Sequence, residues 1–71
     1  MKVPEMHITI NGQRHEFREG MTIAHLMDEL ALQKDQVAIE CNEQIIPASL
    51  HAQTVVNAGD TIEIVEFIGG G

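Results

Sequence analysis

Alternating apolar and polar residues open the readable part of the chain, where Met6-His7-Ile8-Thr9-Ile10 forms the pattern of a half-buried strand. Asn11-Gly12 follows, the pair that best accepts the positive φ angles of a two-residue type I′ turn, so Gln13 to Arg18 is predicted to return as a second strand. That loop length places Ile10 opposite Gln13, Ile8 opposite His15 and Met6 opposite Phe17, giving one mostly apolar face; His7, Thr9, Arg14 and Glu16 form the polar one. The period then changes. Ile23, Leu26, Met27 and Leu30 fall at i, i+3, i+4 and i+7, which predicts a short amphipathic helix with Thr22 as its N-cap. A helix of about eight to ten residues is marginal alone, so it must lie across the apolar face of a sheet.

Beyond the polar stretch Gln33-Lys34-Asp35-Gln36, alternation resumes in Val37-Ala38-Ile39-Glu40-Cys41, with Val37, Ile39 and Cys41 on one side. Asn42-Glu43 can turn this strand into a short Gln44-Ile45-Ile46 partner stopped by Pro47. Ala48 to Gln53 reads as a single helical turn carrying Leu50, and Asn57-Ala58-Gly59-Asp60 as a turn. In the last strand, Thr61 to Phe67, Ile62 and Ile64 share one face while Glu63, Val65 and Phe67 share the other. The order strand, strand, helix, strand, short strand, strand is that of an α+β domain, a mixed sheet of four to five strands on one helix. Residues 1–5 read as an N-terminal extension, 6–68 as the domain, and 69–71 as a flexible glycine tail.

Composition narrows the chemistry. A chain of 7.8 kDa can bury only about 61% of its surface, which leaves no room for a deep catalytic cleft of its own. Eleven Asp and Glu against four Lys and Arg give a net charge of −7, and Trp and Tyr are lacking. Both features oppose nucleic-acid binding. The single cysteine excludes an intramolecular disulfide and a four-thiolate metal site. No signal-peptide core or membrane span is visible, and a cytoplasmic location is expected.

Candidate chemistry concentrates at the end, in Gly69-Gly70-Gly71. Three glycines without Cβ atoms make an arm that can thread a narrow channel and carry a terminal carboxylate into a partner's active site; a frayed terminus is the plain alternative. Val65 and Phe67, apolar on the polar side of the last strand, are candidates for a partner-binding patch together with Ile68. Glu40, Glu43, Glu63 and Glu66 form an acidic surface, either solvated or a dock for a basic partner. Cys41, on the core side by parity, is expected to be a small buried residue rather than a nucleophile. His7, His15, His25 and His51 lack the spacing of a local metal chelate, so no metal site is expected, and His15 should be a partly buried ring.

These segments, in this order, resemble the thiamine-biosynthesis sulfur carrier proteins, ThiS-like members of the β-grasp, ubiquitin-like fold. The resemblance rests on the Asn11-Gly12 hairpin, Gly20-Met21-Thr22-Ile23, Val37 to Asn42 with Ile45-Ile46-Pro47, Ala58 to Ile64, and the ending Val65-Glu66-Phe67-Ile68-Gly69-Gly70-Gly71. It departs at Ala48 and His51, where members often carry a basic and an aromatic residue. The resemblance implies a protein co-substrate rather than an enzyme, a monomer when free, binding no cofactor of its own. An adenylating enzyme related to ubiquitin-activating enzymes would use ATP and magnesium to activate the Gly71 carboxylate. A persulfide sulfur would then replace AMP to give a thiocarboxylate, which a thiazole synthase would consume. A molybdopterin-synthase small subunit and a ubiquitin-like modifier share the activation step and remain the alternatives.

Overall fold

The structure is a computed structural model that describes residues 4–67. The expectations for Ile68, Gly69, Gly70 and Gly71 therefore lie outside the described residues, as does most of the N-terminal extension. Strands β1 (Glu5–Ile10) and β2 (Gln13–Arg18) are followed by helix α1 (Ile23–Glu29), strands β3 (Val37–Cys41) and β4 (Gln44–Ile46), a 3-10 helix (Ala48–Gln53) and strand β5 (Thr61–Glu66). The five strands form one sheet in the order β2-β1-β5-β3-β4. β1 begins at Glu5, one residue earlier than the alternation marked, because Glu5 pairs with Arg18 and the carbonyl of Pro4 accepts from the Glu19 amide at 2.9 Å.

The first hairpin has the register its turn dictates, from Ile10 opposite Gln13 to Met6 opposite Phe17. Asn11 and Gly12 take φ values of 49° and 81°, the paired positive angles of a type I′ turn. Asn42 and Glu43, at 52° and 71°, repeat the device between β3 and β4. The pairing of β1 with β5 is parallel and short, Thr9 beside Thr61 and Ile10 beside Ile62. It is extended by the Asn11 side chain, which accepts from the Ile64 amide at 2.7 Å and donates to the Ile64 carbonyl at 3.1 Å.

Helix α1 is shorter than its apolar stripe, seven residues, and both ends have local causes. Thr22 Oγ1 accepts from the His25 amide while His25 Nδ1 accepts from the Thr22 amide, both at 3.2 Å, so a histidine fills the place of the usual glutamate in a capping box. At the other end Ala31 adopts φ 56°, with Leu32 N–H bonded to the Met27 carbonyl and Ala31 N–H to that of Asp28, the Schellman arrangement. The helix presses Ile23, Leu26 and Met27 onto Met6, Ile8, Ile10, Val37, Ile39 and Ile62 of the sheet, with Val56 closing the same core.

Candidate functional site

All the apolar strand residues just named face α1, which leaves the opposite side of the sheet open. On that open side β3 and β5 present Ala38, Glu40, Glu63 and Val65, since the register sets Ala38 against Val65 and Glu40 against Glu63. Val65, placed on this side by its register with Ala38, is 54% exposed; Phe67, one residue beyond the end of β5, is 60% exposed. Sequence pattern missed a third member. Ile45 of β4 lies opposite Glu40 and is 71% exposed, the most exposed large apolar side chain among the described residues. The signal for it was the parity of β4: with Ile46 opposite the buried Ile39, its neighbour Ile45 had to point the other way. Phe67 is anchored by its backbone, whose amide donates to the Gln36 carbonyl at 2.8 Å.

The acidic residues do not form one group. Glu40 and Glu63 share the open face, Glu43 sits in the β3–β4 turn, and Glu66 pairs with Val37 on the helix-side parity, although its side chain is exposed. Cys41 is half-buried rather than fully buried, because it lies at the end of β3 beside the Asp60 turn. Its Sγ donates to Asp60 Oδ2 at 3.6 Å. Burial, and then the neighbouring carboxylate, push the thiol pKa above its ordinary value, the reverse of what a nucleophilic thiolate needs. Asp60 itself is engaged by Asn42 Nδ2 at 3.0 Å and the Asn57 amide at 2.8 Å, so the cluster is a turn clamp.

Each histidine has a local task. His7 Nδ1 accepts from Arg14 Nε at 2.9 Å, His15 is half-buried and stacks on Phe17 with centroids 6.1 Å apart, and His25 caps α1. His51 was not expected in the core, yet it is 5% exposed, and its Nε2 lies 3.1 Å from the Ile46 carbonyl. A carbonyl only accepts, so Nε2 carries the proton and ties the 3-10 helix to the end of β4. A recess of about 520 Å³ lies beside α1, where Arg18 pairs with Glu29 at 3.7 Å and His25 Nδ1 with the Thr22 amide, while Asp28 also lines it. Among the described residues no helix is long and apolar enough to cross a membrane.

A mixed five-stranded sheet grasping one helix, with its hairpin strands at one edge and its last strand at the centre, defines a ubiquitin-like β-grasp domain. The ThiS family model matches residues 7–71, and the chain belongs to the ThiS family. It is 33% identical over 66 residues to the sulfur carrier protein ThiS of Escherichia coli, covering 93% of this chain and all of that one. The crystal structure of the thiamine biosynthesis protein ThiS from Geobacter metallireducens superposes with a TM-score of 0.81 at 29% identity, over 93% of this chain and 100% of that one. A thiazole synthase of Paramagnetospirillum magneticum is 47% identical over 66 residues, 93% of this chain but only 20% of the relative. The chain thus spans about a fifth of the length of that relative, and of a second thiazole synthase, from Magnetococcus marinus.

Proposed function

We propose that the chain is a sulfur carrier of thiamine biosynthesis that works as a protein co-substrate and catalyses nothing itself. The observation that carries this reading is the family match, which spans residues 7–71 and so includes the diglycine Gly70-Gly71. A carboxylate is a poor electrophile at neutral pH, so an adenylating enzyme with ATP and magnesium first converts the Gly71 carboxylate into an acyl-adenylate and releases pyrophosphate. The terminal sulfur of a persulfide then displaces AMP, and a thiol cleaves the S–S bond to leave a C-terminal thiocarboxylate. A thiazole synthase takes that sulfur. The names of the two longer relatives favour this acceptor, since each includes a segment similar to this chain.

In this reading Gly69 and Gly70 let the terminal carbonyl enter an active site too narrow for side chains. Val65 and Phe67, with Ile68 beyond them, hold the carrier against the enzyme that receives it. The raised thiol pKa of Cys41 supports a structural role for that residue, with the sulfur carried at Gly71 instead. The compartment is the cytoplasm, which supplies ATP and keeps the products reduced.

Intact-mass spectrometry after incubation with the adenylating enzyme, ATP and a persulfide donor tests the proposal. The mass should rise by the difference between sulfur and oxygen, and Cys41→Ser should rise equally. A variant lacking Gly71 that still supports thiazole formation would overturn it.

A further inference from the structure

Charges on the two halves of the open sheet face are handled differently. Across β1 and β2 one imidazole stands between a guanidinium and a carboxylate: Arg14 Nε donates to His7 Nδ1 at 2.9 Å, and His7 Nε2 lies 3.8 Å from Glu16. Across β3, β4 and β5 the carboxylates face each other instead. There the register builds a row Ile45–Glu40–Glu63, with Ala38 and Val65 in the next row and Phe67 beyond. Two carboxylates directly opposite each other on neighbouring strands oppose sheet formation. Among the described residues neither Glu40 nor Glu63 has a basic group within ion-pair distance, the pairs found being His7 with Glu16 and Arg18 with Glu29. A violation of local preference without compensation inside the fold is expected where a surface serves another molecule.

We infer that this row receives one cationic side chain, a Lys or Arg, from the enzyme that adenylates the chain. The inference rests on the carrier reading and adds to it the chemistry of the partner. One guanidinium or ammonium entering between Glu40 and Glu63 relieves both carboxylates at once. Ile45 on one flank and Val65 and Phe67 on the other exclude water around it, which strengthens the charge-assisted hydrogen bonds. The adenylating enzyme is the fitting occupant because β5 ends at Glu66, five residues before Gly71 in the sequence, so a protein that holds the terminus in its active site comes within about 18 Å of this end of the sheet, at about 3.6 Å per residue. The net charge of −7 steers such a basic surface in from a distance.

The test measures the Kd of the full chain for the adenylating enzyme at several salt concentrations, alongside urea unfolding followed by circular dichroism and charging followed by intact mass. The double variant Glu40→Gln/Glu63→Gln should bind about 10- to 100-fold more weakly and with a flatter salt dependence, while its unfolding midpoint does not fall. Glu63→Lys should supply the missing cation within the chain, raising the midpoint while abolishing tight binding. Glu16→Gln, on the β1–β2 half, should change binding little. A wild-type chain that is charged while the double variant keeps its Kd and salt slope overturns the inference and leaves the carrier reading standing. A wild-type chain that neither binds nor gains sulfur overturns that reading, and the inference with it.

Discussion

The two hairpins use the same two-residue turn and arrive at different surfaces. In the first, glycine occupies the second turn position, both strands are six residues long, and His7 stands between Arg14 and Glu16 on the open face. In the second, Glu43 is held at φ 71°, β4 is only three residues long, and Ile45 stands 71% exposed beside Glu40 and Glu63, which have no ion-pair partner among the described residues. The first hairpin follows local preference at nearly every position; the second departs from it at several. Departures gathered on one side of one hairpin are what the proposed docking of a partner on that face accounts for.

The largest break in this comparison comes from the two sides of the second hairpin itself. Ile39→Ala, on the buried side, should destabilise the domain by about 2–5 kcal/mol in urea unfolding, whereas Ile45→Ala should stay within about 0.5 kcal/mol and, on the proposed docking, reveal itself in weaker binding of the proposed adenylating partner. Smaller effects separate the turns. Gly12→Ala forces a Cβ into φ 81° although no atom lies within 4 Å of it, so the cost is conformational, about 1 kcal/mol. Glu43→Gly should stabilise by a similar amount through the same conformational preference. An unchanged urea midpoint in both variants would mean the turns are equivalent.

The smallest effect is in the pH dependence. Below pH 9.0, the ordinary thiol value, both folded and unfolded chains keep the Cys41 proton and the native state has its full stability. As pH rises past that value the unfolded chain ionises first, because the folded pKa is raised, so stability falls through the window between the two. Cys41→Ser should lose less stability than wild type over that alkaline range, as measured by urea midpoints.

Legibility of the fold in the sequence followed the range of the interactions. Asn11-Gly12 carried the first hairpin's register, and the spacing of Ile23, Leu26, Met27 and Leu30 carried the helix, because turn and helix geometry are settled within a few residues. The sheet order was not legible from alternation, since the β1–β5 pairing joins Thr9 to Thr61 across most of the chain; the sequence indicated a mixed sheet on one helix, and the order comes from the structure. His51 escaped for a related reason. Nothing in its neighbourhood marks a histidine for the core, and its burial depends on the Ile46 carbonyl that the β4 turn brings to it. Of the candidate docking face, the strand parity of Val65 and Phe67 was readable, whereas Ile45 and the opposition of Glu40 to Glu63 required the register between strands.

The β1–β5 pairing also bears on how the chain is made. The first strand is held open on one side until the last one arrives, since β5 sits between β1 and β3 at the centre of the sheet. Synthesis must therefore proceed through Glu66 before the core can close, and contacts of such long sequence separation form late. A truncated chain stopping short of β5 has no finished sheet to display. If the proposed adenylating enzyme recognises the assembled face, it meets only chains already extended to within a few residues of Gly71, and folding then serves as proofreading for the end it would activate.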